Sequence, residues 1–232
     1  MQTNNQIVSA IIIAGVLIAG AILLKDSKPR ELSPQNQIPS ANEIDFSNLE
    51  IRPISAEDHI TGNIDADLIV LEYSDTECPF CKIFHETMHK ILQEKENVAW
   101  IYRHYPIPGL HPKASREAEA TECAFEQGGN EGFWKYIDRL FSITPPNNQL
   151  EDQELTNIAQ YVDLNTSSFY TCLESGKYKN KVEADVEDGN KAGAGRFGTP
   201  FSLILKNGEI VDMIRGAQPY EKILQQLEYW SN

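Results

Sequence analysis

Short apolar runs along the chain predict the strands of a sheet. They cover residues 68–73, 98–103, 201–205 and 210–214. The first run is apolar almost throughout, which is expected of a strand that is buried on both faces. The last two runs flank an Asn207-Gly208 pair, which is typical of a tight hairpin between strands. The pattern therefore predicts a buried sheet whose last two strands form a hairpin.

Apolar residues at helical spacing lie between and after these strands. One series follows the first strand from Ile83 to Leu92, and another closes the chain between residues 220 and 230. Residues 103–199 are too many for a plain loop. Within them the helical pattern recurs at 113–127, 133–141, 155–162 and 169–173. We therefore expect a helical subdomain inserted at about 106–194.

The N-terminal region carries a long apolar stretch at residues 7–24 without a charged residue. As a helix it would span roughly 27 Å, close to the thickness of a bilayer core. A cleaved secretory signal is the alternative, but the chain lacks a basic start and an Ala-x-Ala pattern. We expect a single transmembrane anchor at 1–25, a flexible linker rich in Pro, Ser, Asn and Gln at 26–54, and a folded domain at 55–232.

Composition narrows the range of partners. The chain has 34 acidic and 20 basic residues, for a formal net charge of −14. Binding to nucleic acid needs a concentrated basic surface, so we expect no nucleic-acid partner.

The four cysteines divide into one close pair and one distant pair. Cys78 and Cys81 are separated by two residues, whereas Cys123 and Cys172 stand alone. Four cysteines are too few for a small fold that depends on disulfides. The arrangement suits one reactive dithiol and one structural bridge, although two buried free thiols would also fit Cys123 and Cys172.

The close pair lies where a strand gives way to a helix, in the sequence Cys78-Pro79-Phe80-Cys81. Pro79 suits the first turn of a helix, where a missing N–H costs nothing. Cys78 would then lie at the helix N-terminus, which stabilises a thiolate, the nucleophilic form. We expect Cys78 to be the exposed, attacking thiol and Cys81 to be the resolving thiol.

Two other interpretations of this segment are a zinc site and an inert disulfide. Cys78, Cys81, His85 and His89 have the spacing C-x2-C-x3-H-x3-H. Four ligands on one short helix could not surround an ion, so we expect no metal and no other cofactor. A CxxC pair can also simply close a turn, but the flanking strand and helix favour a redox role.

Taken together, the elements from about residue 55 to 231 resemble the DsbA family of thioredoxin-fold thiol–disulfide oxidoreductases. The resemblance implies an α/β thioredoxin fold with a helical insertion. It also implies that Pro200, in Gly198-Thr199-Pro200, is a cis-proline beside the cysteine pair, where it offers a backbone edge to a substrate peptide. Thr199, before it, would influence redox behaviour.

The resemblance assigns roles to further residues. Glu72 matches a buried acid that assists proton transfer at Cys81, although a surface carboxylate at a strand end is the alternative. Pro79 and Phe80 would contact substrate together with Thr199 and Pro200. Members with cysteines in the two segments that hold Cys123 and Cys172 bridge them within the insertion.

The chain departs from the best-known members between its active cysteines. These members often carry a His that stabilises the thiolate, whereas Phe80 cannot donate a hydrogen bond. Asp75 and Glu77 add negative charge close to Cys78, which disfavours a thiolate. We expect a less extreme Cys78 pKa and a less oxidising pair than in the strongest oxidases. His104 and His111 flank a Pro-rich connection and could line the same face.

The resemblance implies oxidation of reduced or misoxidised proteins outside the cytoplasm, with reoxidation by a quinone-linked membrane partner. An isomerase, a reductase and a redox-inactive peptide-binding module are the alternatives. Lys25, Lys28 and Arg30 follow the apolar stretch, and the positive-inside rule alone would keep the domain in the cytoplasm. The cysteine chemistry fits an oxidising compartment better, so we expect the domain in the periplasm or at the cell exterior.

Overall fold

The computed structural model describes residues 46–63, 65–145 and 150–231. The expected anchor at 1–25 and most of the expected linker lie outside these residues. Within the described ranges, no helix is both long and apolar enough to cross a membrane.

One five-stranded sheet forms the centre of the described domain. Its strands are β1 His59–Gly62, β2 Leu68–Ser74, β3 Val98–His104, β4 Phe201–Lys206 and β5 Glu209–Arg215. They lie in the order β1-β3-β2-β4-β5, with β2 and β3 parallel and the other neighbours antiparallel. The four strands predicted from apolar runs are all present. The short edge strand β1 was not predicted.

Helices cover both faces of this sheet. On one face lie α1 (Pro79–Glu94) and α7 (Tyr220–Ser231). Their buried residues, among them Phe84, Met88 and Leu227, pack with Val70 and Trp100 of the strands. The residues of β2 point alternately to opposite faces. Both sets are buried, which explains the nearly continuous apolar run.

The insertion between β3 and β4 is helical, as the sequence predicted. It contains α2 Ala114–Ile143, α3 Asp152–Tyr161, α4 Thr166–Ser175, α5 Lys179–Ala192 and α6 Ala194–Phe197. The two segments predicted at 113–127 and 133–141 are the two halves of α2. They are separated by Gly129, whose φ of 58° breaks the helical conformation and favours glycine.

A disulfide joins Cys123 on α2 to Cys172 on α4, with an S–S distance of 2.00 Å. Both sulfurs lie in the apolar cluster of the insertion, beside residues such as Leu140 and Phe169. The alternative of two free thiols does not describe this structure.

Residues 46–54 pack on the domain, although the composition assigned them to a flexible linker. Leu49, Ile51 and Ile54 contact the apolar cluster on the sheet face opposite α1. The Arg52 guanidinium forms ion pairs with Asp58 and Asp185. The folded domain therefore begins earlier than residue 55.

A buried charge network ties β3 to the insertion. Arg103 is fully buried, and its guanidinium donates to both carboxylate oxygens of Asp58 at 2.7 and 3.0 Å. It also donates to Asp188 of α5 at 2.7 Å. Arg103 thus supplies a buried positive charge to two buried carboxylates, which Arg52 also contacts. Burial raises the pKa of Asp58, but the hydrogen bonds and charges of Arg103, the Ser55 N–H and Arg52 together hold it below its ordinary value.

Candidate active site

The cysteine pair lies where β2 ends and α1 begins. A short turn after Ser74 brings the chain to Cys78, whose backbone is extended (φ −74°, ψ 120°) and which caps α1. Pro79 is the first residue of the helix, the position where its fixed φ and missing N–H cost least. Cys81 follows one turn later, so its side chain lies on the same side of the helix start.

The segment that leads into β4 forms the other wall of the site. The peptide bond between Thr199 and Pro200 is cis, and the Cys78 Sγ lies 3.5 Å from the Thr199 carbonyl oxygen. Cys81 is fully buried, and its Sγ accepts the backbone N–H of Asp75 at 3.4 Å. Cys78 is only 6% exposed. The expectation of an exposed thiol was therefore wrong, because Cys78 is buried within the apolar cluster on the α1 face of the sheet.

The two thiols differ strongly in acidity. A hydrogen bond from the Cys81 thiol lowers the pKa of Cys78 to about 6, and backbone N–H groups of the first helical turn add to this against the effect of burial. Burial raises the pKa of Cys81 well above its ordinary value, and the neighbouring Cys78 raises it further. Near pH 7 this difference favours the thiolate on Cys78 and the thiol on Cys81.

Glu72 lies inside the protein behind the cysteines. It is fully buried on β2, which excludes the alternative of a surface carboxylate. Its Oε2 accepts the indole N–H of Trp100 at 2.9 Å, whereas Oε1 has no hydrogen-bond partner. Burial raises the pKa of Glu72 to about 8, and the negative charge of Cys78 adds to this. A carboxyl group with such a pKa can both donate and accept a proton near pH 7.

His111 contacts the turn that precedes the cysteines. Its Nδ1 lies 2.9 Å from Oδ2 of Asp75, which also accepts the backbone N–H of Ile107 at 2.7 Å. Burial alone would lower the pKa of His111, but the hydrogen bond to Asp75 and the charges of Asp75 and Cys78 raise it. A protonated His111 thus offsets part of the negative charge expected to disfavour the Cys78 thiolate.

Replacing His111 with Ala should raise the Cys78 pKa by up to about one unit, because a positive charge is lost and Asp75 is left unneutralised. The ultraviolet absorbance of the thiolate, followed against pH in the reduced protein, measures this shift. Leu110→Ala, a change at the exposed neighbouring residue, is the matched control and should leave the titration unchanged. An identical titration in His111→Ala, or a wild-type Cys78 pKa below about 4, would contradict this account.

The residues next to Cys78 present an apolar surface to solvent. Phe80 is 60% exposed and Ile83 is 50% exposed within the first two turns of α1. Exposed apolar side chains beside a reactive group are suited to contact with an unfolded or extended polypeptide.

His104 does not belong to this site. It is buried in β3, where its Nε2 lies 3.0 Å from Oε1 of Glu122 on α2. Of the two histidines that could line the active-site face, His104 is therefore a packing residue, and His111 alone contacts the turn before the cysteines. No sequence motif signals the contact between His111 and Asp75, since 36 residues separate them.

A helix-capping cysteine with a low pKa, a buried second cysteine one turn on, and a cis-proline strand opposite define a dithiol site on a thioredoxin fold. A sequence model of the family described as Thioredoxin matches residues 55–228. The chain belongs to the thioredoxin family, and its resemblance to DsbA-type proteins is confirmed at the level of the fold.

Solved structures show the same fold. The crystal structure of Pseudomonas aeruginosa DsbA2 superposes with a TM-score of 0.62 at 23% identity, covering 77% of this chain and 97% of the other. That of oxidised BdbD from Bacillus subtilis gives a TM-score of 0.66 at 20% identity, covering 78% and 96%.

Among curated proteins, the Na(+)/H(+) antiporter NhaA 3 of Salinispora tropica is 32% identical over 130 residues. The match covers 56% of this chain and 19% of the antiporter. The chain thus spans about a fifth of the length of the curated relatives it matches.

Proposed function

We propose that the protein oxidises thiols of other proteins by dithiol–disulfide exchange through Cys78 and Cys81. The observation that carries this proposal is the difference in acidity between the two thiols. Cys78 has a pKa of about 6 at the helix start, and Cys81 has a raised pKa in the interior. A stable thiolate on Cys78 favours the reduced form of the pair, so the oxidised form readily takes electrons from a substrate.

The exchange proceeds in two displacements. A substrate thiolate attacks Sγ of Cys78 in the oxidised pair, the bond between Cys78 and Cys81 breaks, and its electron pair leaves on Cys81. Glu72, which is largely protonated at pH 7, supplies the proton that Cys81 takes up. A second substrate thiolate then attacks the substrate sulfur of the mixed disulfide, and Cys78 leaves as a thiolate. The substrate gains a disulfide, and the pair gains two electrons.

Substrate is held by the surfaces around Cys78. An extended peptide lies along the backbone edge at Thr199 and Pro200, while Pro79 and Phe80 contact its side chains. The Thr199 carbonyl is already close to the Cys78 sulfur, so a peptide at this edge would bring its own sulfur to the attacking position.

We place the domain outside the cytoplasm, tethered by a helix within residues 1–25. The Cys123–Cys172 disulfide supports this location, because such bridges persist in oxidising compartments. The substrates are then reduced or misoxidised extracytoplasmic proteins. Each cycle leaves the pair reduced, so an oxidant such as a quinone-linked membrane protein must restore it.

A Cys81→Ala variant tests the exchange directly. It cannot resolve mixed disulfides, so substrate proteins should accumulate on Cys78 and run as high-molecular-mass bands that disappear on reduction. Cys78→Ala is the matched control and should form none. A redox-inactive peptide-binding module predicts no trapped species in either variant, and that result would exclude the proposed function.

A further inference from the structure

A second group of polar side chains lies on α1, beyond the active cysteines. His85 and His89 are four residues apart on this helix and share a face. Asp138, on the second half of α2, meets them. Its Oδ1 lies 2.7 Å from Nε2 of His85 and 2.8 Å from Nε2 of His89, and the two nitrogens are 3.1 Å apart. Three atoms of the kind that bind metal ions therefore converge from two helices.

The spacing of these atoms suits a transition-metal ion. Zinc binds histidine nitrogen and carboxylate oxygen at about 2.0–2.2 Å. A point about 2.1 Å from all three atoms lies about 1.3 Å above their plane, with angles of roughly 80–95° between the ligands. Such angles are those of three adjacent positions of a five- or six-coordinate ion, which leaves further positions open.

One of the three side chains is packed in the protein interior, whereas the other two are accessible to solvent. The His85 side chain is only 5% exposed, whereas those of His89 and Asp138 are 36% and 44% exposed. The rings of Trp100 and Phe141 pack around His85, with centroids 5.0 and 4.6 Å away. An ion would therefore meet one pre-oriented ligand and two that are reached from solvent.

The surroundings carry charge of the right sign. A groove of about 370 Å³ opens onto the three side chains, and its remaining lining residues are Glu86, Phe141 and Ser142. None of these lining residues carries an ammonium or a guanidinium group, and the nearby Lys82 ammonium donates to the backbone carbonyls of Ser142 and Thr144, each at 3.4 Å. Glu86 adds a second carboxylate at the rim.

A second histidine–carboxylate group in the described domain shows the contrast. His59 and His104 both contact Oε1 of Glu122, at 2.8 and 3.0 Å. All three are buried, and the ammonium of Lys181 lies 3.5 Å from the same oxygen. That group has its own cation and no opening to solvent, so it is a hydrogen-bonded part of the core.

We propose that His85, His89 and Asp138 bind a divalent transition-metal ion, with Zn²⁺ as the probe, and so link α1 to α2. This set differs from the C-x2-C-x3-H-x3-H set that the sequence excluded. The cysteines take no part, and a helix 49 residues away supplies the ligand that a single helix could not.

The test uses the full chain, purified without a polyhistidine tag and with Cys78–Cys81 oxidised, so that no thiol competes for zinc. Calorimetric titration with ZnCl₂ should show one ion per chain. His89→Gln and Asp138→Asn should each weaken binding more than about 100-fold, because loss of even an outer partner of a ligand costs 10–100-fold. Glu131→Gln is the matched control, because it changes an exposed carboxylate on α2, the helix that carries Asp138. It should bind Zn²⁺ as wild type does.

Thermal unfolding provides a second readout. An ion bound only by the folded state raises the melting temperature, so ZnCl₂ should raise it in wild type and in Glu131→Gln but not in the two ligand variants. Absence of saturable Zn²⁺ binding would overturn the proposal. Equal binding by wild type, His89→Gln and Asp138→Asn would overturn it as well.

Discussion

Replacing Glu72 with Gln is expected to slow the exchange steps that protonate or deprotonate Cys81 by about 100-fold at pH 7. Cys81 is buried with a raised pKa, so it leaves poorly as a bare thiolate and attacks poorly as a thiol. Glu72 has a pKa of about 8 in the same interior and can carry the proton. The amide side chain in the Glu72→Gln variant would keep an acceptor for the Trp100 N–H but could not transfer a proton.

The pH dependence of the exchange rate distinguishes proton transfer by Glu72 from a purely structural role of this residue. In wild type the rate of these steps should follow the titration of Glu72 near pH 8, and this dependence should vanish in Glu72→Gln. Glu72→Asp should restore part of the rate. Glu117→Gln is the matched control, because Glu117 is also a buried carboxyl group, with a pKa raised by burial to about 7. Stopped-flow measurement with a thiol peptide gives the rates, and wild-type kinetics in Glu72→Gln would contradict the role.

The raised pKa of Glu72 also predicts how the free energy of unfolding changes with pH. The unfolded chain releases the Glu72 proton near pH 4.5, whereas the folded protein holds it until about pH 8. The unfolded state therefore binds fewer protons within this window, and stability falls as the pH rises through it. Glu72→Gln removes this contribution, so the free energy of unfolding should fall less between pH 4.5 and 8 than in wild type.

Replacing Arg103 with Met is expected to lower the free energy of unfolding by about 3–5 kcal/mol. Met fills much of the volume of the Arg stem, so the loss comes from charge. Asp58 and Asp188, which are 4% and 6% exposed, would each lose a buried cationic partner. Urea denaturation of both proteins measures the difference.

Arg116→Met is the control for this substitution. Arg116 also pairs with two carboxylates, Asp152 and Glu174, but its side chain is 37% exposed and those of its partners are 63% and 47% exposed. Surface pairs of this kind contribute at most about 1 kcal/mol. If both variants lost the same free energy of unfolding, burial would not determine how much the Arg103 network contributes to stability.

The apolar runs were sufficient to predict four strands and the active-site helix, because buried parallel strands and amphipathic helices have distinct periodicities. β1 escaped prediction because its four residues, His59–Gly62, include only one large apolar side chain. α5 escaped because its sequence is polar. Two of its buried residues, Asp185 and Asp188, are acids that pair with the distant Arg52 and Arg103, although Asp185 also pairs with Lys181 of the same helix.

In the candidate site, too, local motifs could be predicted from the sequence, whereas contacts between distant residues could not. The cysteine pair and Pro200 lie in short local motifs that a sequence can display. The contact between His111 and Asp75, and that between Asp138 and the α1 histidines, join residues 36 to 53 positions apart. No periodicity records such contacts. Residues 46–54 also look like a linker by composition, because the apolar contacts of Leu49, Ile51 and Ile54 and the ion pairs of Arg52 join them to distant parts of the chain.

The reduction potential of the Cys78–Cys81 couple tests the central claim most directly. Equilibration with glutathione redox buffers, followed by alkylation and counting of free thiols, gives the value. A Cys78 pKa of about 6 lies between those of thioredoxin and DsbA, so we expect a potential between about −270 and −120 mV. A value at or below −270 mV would contradict the oxidative direction, and a pair that does not exchange with glutathione would contradict the exchange itself.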